Sequence, residues 1–247
     1  MSLDTFQRAC EPLSKSVKHS YLHLWGEPTL NKNLGKMIET AREFSTVDLA
    51  THGLFVTEEN APMLAKASNI SVSIDGITQE IYEKYRVGGK FDQALKGLEL
   101  LSKAAPGRVT WTYCVFKHNE HQIPEAIEMA KQLGVPIGFK PPLFWDKSTM
   151  NQMMPTDTKY HRYILNDGEW QLKADRLKCR EFWETIYILP NGNIITCCYD
   201  GNAEYVMGNI NETPILDIWN GEKYTQMRTN HLAGRLNEMC LKYCHLP

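Results

Sequence analysis

The sequence predicts an α/β protein: a parallel sheet covered by helices, followed by a small cysteine-rich domain. Two observations carry that prediction. Helical and extended patterns alternate from the start to about residue 140, with strands of ~5–8 residues, the signature of a parallel sheet built from β–α units. Cysteine is the second. Of seven cysteines only Cys10 and Cys114 fall in the first 178 residues, while Cys179, Cys197, Cys198, Cys240 and Cys244 crowd the tail.

The elements read in order as follows. Phe6, Cys10, Leu13 and Val17 are at helical spacing, so residues 4–18 are predicted as an amphipathic helix. Tyr21–Trp25 reads as a strand ended by Gly26-Glu27-Pro28. A helix over 33–44 leads to a strand at Val47–Ala50, ended by Thr51-His52-Gly53. A helix near 58–67 precedes the strand Ile70–Ile74, which stops at Asp75-Gly76. Phe91, Leu95, Leu98 and Leu101 mark a helix, and the β-branched and aromatic run Val109–Phe116 a strand. Ile123, Ile127 and Ala130 mark the next helix, and Val135–Phe139 the fifth strand. Five such strands suit a doubly wound sheet or a partial barrel, and the pattern does not choose between them.

Residues 141–178 read as an irregular linker, with Pro141-Pro142, Pro155 and Asp167-Gly168 as breakers. In 179–247 a hairpin is expected from Glu184–Leu189, a Pro190–Asn193 turn and Ile194–Cys197, then short helices near 214–219 and 221–230. The expected division is therefore 1–140, 141–178 and 179–247.

Composition narrows the function classes. With 43% hydrophobic and 23% charged residues the mix is that of an ordinary globular protein. A formal net charge of −2 argues against a nucleic-acid footprint and against a polybasic membrane patch. No apolar run approaches the ~18 residues of a spanning helix. The first residues do not spell a signal peptide, so a cytoplasmic location is expected.

Ligands of parallel α/β folds bind at the carboxyl ends of the strands. Here every expected strand end carries polar or permissive residues: Gly26-Glu27, Thr51-His52-Gly53, Ser73 with Asp75, His118-Asn119, and Lys140. In Gly26-Glu27-Pro28 the glycine permits close backbone approach and Glu27 offers a fixed acceptor for a ligand ammonium; a tight turn with a solvated Glu27 is the alternative. Arg86 is either a bidentate donor to a ligand carboxylate or a solvated charge. Cys179 and Cys197 flank the expected hairpin, and Cys240 and Cys244, four apart, share one side of a helical turn. Together they supply four thiolates for a tetrahedral metal or an iron–sulfur cluster. Cys198 would point away from Cys197 on an extended strand. Cys10 and Cys114 read as packing residues, and the histidines show no ligand spacing among themselves.

Several of these stretches resemble radical SAM enzymes. Tyr21–Asn31, with Gly26-Glu27-Pro28, resembles the second strand and "GGE"-type motif of that family, and Thr51-His52-Gly53 resembles its "TNG". Ile70–Gly76 with Tyr82–Arg86 and Gly88–Phe91 resembles the fourth-strand segment. Cys179, Trp183, Gly192–Cys198, Gly208-Asn209, Ile218-Trp219, Arg228 and Cys240–Cys244 resemble a SPASM-type auxiliary-cluster domain. The resemblance implies a partial (β/α)6 TIM-like barrel that binds S-adenosylmethionine over a [4Fe–4S] cluster for radical chemistry. It implies Gly26 and Glu27 at the methionine amino group, Ser73 and Asp75 near the ribose, and Arg86 as a weaker candidate for the carboxylate. Cys179, Cys197, Cys240 and Cys244 would hold one auxiliary [4Fe–4S] cluster, and a peptide or protein would be the substrate. A non-catalytic metal-binding or peptide-recognition module is the alternative, as is a zinc-held tail.

One departure stands out. The family holds its radical-generating cluster with Cys-x3-Cys-x2-Cys after the first strand, and no such triplet occurs here. The resemblance thus implies a chain that begins past that loop and lacks the first strand. The 247 residues alone, reconstituted with iron and sulfide and given dithionite, should form no 5′-deoxyadenosine from S-adenosylmethionine. Detection of that product by mass spectrometry would contradict the expectation.

Overall fold

The computed structural model describes residues 1–144, 147–172 and 179–242. The chain forms two compact units, one of residues 18–162 and one joining residues 1–17 to the chain from Tyr163 onward. Helix α1 (Leu3–Leu13) opens the chain and belongs to the second unit. It stops short of the expected residue 18 because Ser16 and Val17 both donate to the Leu13 carbonyl, closing a turn.

The unit of residues 18–162 is a five-stranded parallel sheet in the order β1 (His19–Tyr21), β2 (Thr46–Thr51), β3 (Asn69–Ser73), β4 (Val109–Cys114), β5 (Ile137–Lys140). Between the strands run α2 (Leu34–Arg42), α3 (Ala61–Leu64), α4 (Gln79–Glu83), α5 (Phe91–Ala104) and α6 (Ile123–Gln132). Strand order follows chain order. In a doubly wound sheet it would reverse at a switch point. Crossovers between parallel strands are right-handed, so an unreversed order sends every helix to the same face.

The strands are written for that asymmetry. Val47, Leu49, Ile70, Val72, Trp111 and Tyr113 face one way and are buried. The alternate positions, Asp48, Ala50, Asn69, Ser71, Ser73, Thr110, Thr112, Cys114, Gly138 and Lys140, face the other. Pairing aligns the polar set across strands: Asp48 with Asn69, Ser71 with Thr110, Ser73 with Thr112 and Gly138, Cys114 with Lys140. A parallel sheet covered on both faces reads as continuous apolar runs. This one alternates because one face has no helices over it.

The sheet also curls. β1 and β5 are four strand spacings apart, roughly 19 Å if the sheet were flat. Yet Lys140 lies close enough to His23, just past β1, to disfavour its protonation. The expected partial barrel is thus found.

Two boundaries differ from expectation. β1 covers His19–Tyr21, not Tyr21–Trp25. Beyond Tyr21 the Leu22 amide continues to β2 at Asp48 O (3.0 Å) and the His23 ring accepts from the Ala50 amide (3.1 Å), before Gly26 (φ +80°) turns the chain into a 3-10 turn at Pro28–Leu30. The apolar letters of Leu22–Trp25 spell a strand-end loop. The second difference lies in the expected linker, which carries α7 (Met150–Met153) and an antiparallel hairpin, β6 (Tyr163–Asn166) with β7 (Glu169–Leu172). Its turn is Asp167-Gly168, both with positive φ (48° and 80°), a favoured two-residue hairpin connection.

In the second unit, α8 (Glu181–Glu184) precedes an antiparallel sheet of β8 (Tyr187–Ile188), β9 (Asn193–Ile195) and β10 (Gly208–Asn209) in the order β10-β9-β8. α9 (Ile215–Trp219), α10 (Glu222–Leu232) and α11 (Glu238–Lys242) follow. Ala9 and Leu13 of α1 join Ile194, Ile210, Ile215, Ile218 and Tyr224 in one apolar cluster, and Thr5 Oγ1 donates to Asn211 Oδ1 at 3.1 Å. Arg228 ties the helices together, giving Nε to Phe182 O (2.8 Å) and Nη1 to Trp219 O (2.9 Å). No helix among the described residues is long and apolar enough to cross a membrane.

Close backbone approach sets two glycines apart. A Cβ on Gly97 of α5 would sit 2.2 Å from the Gly53 carbonyl oxygen, whereas one on Gly138 would meet nothing within 4 Å. Helix propensity alone would make Gly97→Ala favourable by about 1 kcal/mol. The contact reverses that: Gly97→Ala should destabilise by about 1–3 kcal/mol in urea unfolding, while Gly138→Ala stays within about 1 kcal/mol of the parent.

Candidate functional site

The carboxyl ends of β1–β5 bring the expected residues together, though several play other parts than expected. Glu27 caps the 3-10 turn, and its side chain is 6% exposed. Oε1 accepts from Thr29 N (3.1 Å), Thr29 Oγ1 (2.5 Å) and Thr51 Oγ1 (2.7 Å); Oε2 accepts from His52 N (2.9 Å) and faces His52 Nε2 (3.3 Å). A carboxylate has about four lone-pair sites. With five donors around it, Glu27 is no open acceptor for a ligand ammonium; it ties the loop after β1 to the end of β2. The exposed Gly26 carbonyl beside it takes no hydrogen bond from the described residues.

Asp75 is fully buried. Oδ1 accepts from the Cys114 amide and Oδ2 from Arg86 Nε, both at 2.6 Å. Burial pushes its carboxyl up against the pull of Arg86 and the Cys114 amide. Burial alone would depress the Arg86 guanidinium, but Asp75 overrides it and holds it above its ordinary range. Asp75 therefore reaches no ligand itself. It aims Arg86, whose two Nη groups take no partner among the described residues. Asn119, also fully buried, braces the same corner: Nδ2 donates to Asp75 O (3.0 Å) and Cys114 O (2.9 Å), and Oδ1 accepts from Phe116 N (2.7 Å).

Ser73 ends β3 half-buried on the uncovered face, its hydroxyl unbonded among the described residues. Cys114, expected as a packing residue, faces the same way opposite Lys140. Burial raises its thiol to about 12, with Asp75 adding to the effect. Cys10 is buried in α1 as expected, its thiol pushed up to about 11 by burial. His52 feels both Glu27 and Arg86, so the strand ends form one electrostatic neighbourhood.

Of the four tail thiols expected as ligands, Cys179, Cys197 and Cys240 lie among the described residues. Cys197 and Cys240 are buried in one apolar cluster with Phe182 and Met239, and Cys198 packs against it. Cys179 is half-buried, its thiol raised first by burial and further by Cys198. Cys244 lies outside the described residues. Among the described residues no three Cys, His, Asp or Glu side chains converge closely enough to hold a metal ion as they stand. Cys198 does not point away: β9 ends at Ile195 and the chain turns, Asp200 N donating to Cys197 O (3.1 Å), so the alternation of an extended strand does not apply. The neighbouring Cys197 draws the Cys198 thiol down to about 7.

The chemistry of this donor set fits a thiolate-held group. The donors are soft, the shell is apolar, and the Tyr199 amide points at Cys197 Sγ (3.5 Å). The buried Thr196 hydroxyl has no partner among the described residues. Sequence reasoning set Cys198 aside and gave Thr196 no part of its own. The run Thr196-Cys197-Cys198-Tyr199 at the end of the expected hairpin is the signal that marks them.

A parallel sheet wound in chain order, with one polar face and polar strand ends, defines a barrel segment built to hold a ligand at those ends. Residues 1–130 match the radical SAM superfamily, and residues 179–245 match the SPASM iron–sulfur cluster-binding domain. The chain belongs to the radical SAM superfamily.

Among similar proteins is the mycofactocin maturase MftC of Mycolicibacterium smegmatis, 29% identical over 235 residues, covering 85% of this chain and 60% of that protein. The AdoMet-dependent heme synthase of Methanosarcina barkeri is 27% identical over 226 residues, covering 74% and 62%. Streptococcus suis SuiB bound to S-adenosylmethionine has a similar fold, with TM-score 0.68 and 15% identity, covering 100% of this chain and 64% of that one. The chain spans about 60% of the length of the curated relatives it matches.

Burial lowers the pKa of His23, His52 and His118 below the usual 6.5. A histidine depressed in the folded state stabilises fully above the unfolded value and loses that contribution as pH falls through the folded one. Thermal stability should therefore drop as pH falls from about 6.5 toward 5, and His52→Gln should flatten the slope in circular-dichroism melts.

Proposed function

We propose that this chain is the cofactor- and substrate-holding part of a radical SAM enzyme that modifies a peptide or protein, with an auxiliary [4Fe–4S] cluster in its tail. The uncovered polar face, closed at one end by Glu27, His52, Asp75 and Arg86, is the observation that carries this reading. Of the relatives' substrate types, a peptide suits that face: its hydroxyl and amide lining can satisfy backbone groups, whereas a porphyrin would leave them unpaired. Similarity to the maturases supports the same class.

With S-adenosylmethionine bound, a [4Fe–4S] cluster would supply a 5′-deoxyadenosyl radical for hydrogen abstraction. This chain's residues bind and orient. The Gly26 carbonyl takes the methionyl ammonium, held in place by the Glu27 carboxylate behind it. Arg86 offers its Nη groups to the carboxylate while Asp75 fixes its plane, and the Ser73 hydroxyl serves the ribose. In the tail Cys179, Cys197, Cys240 and Cys244 are the ligands of the auxiliary cluster. Thiolate-held clusters persist in reducing compartments, which supports a cytoplasmic protein.

Three measurements test this. Anaerobic reconstitution should give a brown protein with about four irons per chain, and Cys240→Ala should abolish the colour; a colourless parent, or a zinc-only one, would defeat the cluster reading. Arg86→Met should weaken S-adenosylmethionine binding severalfold in calorimetry, and unchanged affinity would remove Arg86 from the site. Titration with coproporphyrin should give no saturable Soret shift, while a tight one would overturn the preference for a peptide.

A further inference from the structure

The five parallel strands carry almost no charge of their own. Asp48 and Lys140 are the only Asp, Glu, Lys or Arg residues within β1–β5. Asp48 is partnered inside the chain, its Oδ1 accepting from Asn69 Nδ2 at 2.6 Å. Lys140 is not. It ends β5 exposed on the uncovered face, and its ammonium makes no ion pair or hydrogen bond among the described residues.

The backbone beneath that ammonium is held firmly. Lys140 pairs with Cys114, its carbonyl accepts from Val115 N at 2.9 Å, and Pro141 confines it to an extended conformation. A strand end places a side chain more precisely than a loop does. The groups that could neutralise Lys140 locally are engaged elsewhere. Asp75 is fully buried, and its oxygens accept from the Cys114 amide and Arg86 Nε, both at 2.6 Å. Glu27 is surrounded by donors from its own turn and from the end of β2. Cys114, the neighbour in register, stays a neutral thiol because burial raises it to about 12.

Two cations thus stand at the carboxyl ends of the strands. Arg86 is aimed by Asp75 and suits the methionyl carboxylate. Lys140 remains, without a counter-ion, on the face that receives the substrate. An ammonium on a flexible stem offers a point charge with three rotatable donors, so it takes a carboxylate without demanding a planar, two-pronged approach.

We propose that Lys140 is a specificity-determining residue that pairs with a carboxylate of the substrate peptide, from an acidic side chain or from the peptide's carboxyl end. This rests on the reading that the substrate is a peptide.

The test starts from affinity selection on the 247-residue chain with S-adenosylmethionine present, using a synthetic library of random octapeptides with free carboxyl ends read by mass spectrometry. The strongest binder is resynthesised with each acidic side chain changed to its amide, and separately with an amidated carboxyl end, and titrated by calorimetry. One of these changes should weaken binding to the parent about fivefold and leave binding to Lys140→Gln unaltered. Which change does so identifies the source of the carboxylate. Lys140→Gln should bind the unmodified peptide about fivefold more weakly than the parent, and Lys140→Arg should keep most of the affinity. Unchanged peptide affinity in Lys140→Gln would overturn the proposal, and so would equal losses in the Gln and Arg variants. Weakened S-adenosylmethionine binding in Lys140→Gln would also overturn it, by placing Lys140 at the cofactor. If Lys140→Gln fails to fold by circular dichroism, the modified peptides on the parent and Lys140→Arg decide, and no loss from any modification overturns it. A parent that selects no peptide defeats the peptide reading and this inference together, whereas a binder indifferent to Lys140 defeats this inference alone.

Discussion

The structure of the barrel unit depends on one constraint: strands laid down in chain order with crossovers of one hand place every helix on the same side of the sheet. From this follows the split between Val47, Leu49, Ile70, Val72, Trp111 and Tyr113 on one face and hydroxyls, amides and charges on the other. A sheet with only one apolar face has to curl or expose the other to water, and here His23 and Lys140 come into electrostatic reach across it. The loops at the carboxyl ends then converge on one place.

How the polar groups are used at that place follows from burial. Glu27 is surrounded by donors within the chain, and each oxygen of Asp75 accepts from one, the Cys114 amide or Arg86. A buried carboxylate without donors would be costly, so these two anchor loops and leave contact with ligands to groups that remain solvated, such as the Gly26 carbonyl and the Arg86 fork. In the tail an apolar shell surrounds the thiols, and the Tyr199 amide faces Cys197.

Much of this was legible in the sequence because strands and strand ends are local patterns. The β2, β3 and β4 spans, Asp75, Arg86 and the tail hairpin follow from alternation and turn chemistry. What failed to show depended on partners elsewhere in the chain. Leu22–Trp25 looks like strand by composition, but β1 is set by its pairing with Thr46–Asp48. Asp167-Gly168 reads equally as a loop break or a hairpin turn until Tyr163–Asn166 finds Glu169–Leu172. The direction of Cys198 could not be read from strand alternation because the strand stops two residues before Cys197. The roles of Glu27 and Asp75 were hidden because donors such as His52 and Cys114 are 25 and 39 residues away.

Helix α1 and its partners have a consequence for synthesis. Thr5 and Asn211, joined by a hydrogen bond, are 206 residues apart in sequence. At ribosomal rates of roughly 5–20 residues per second, α1 is made on the order of 10–40 s before its binding surface exists. Throughout that interval Ala9 and Leu13 lack the Ile194–Tyr224 cluster they pack against. The small tail therefore closes only once the last third of the chain has emerged, and until then the first helix is a segment for chaperones to shield.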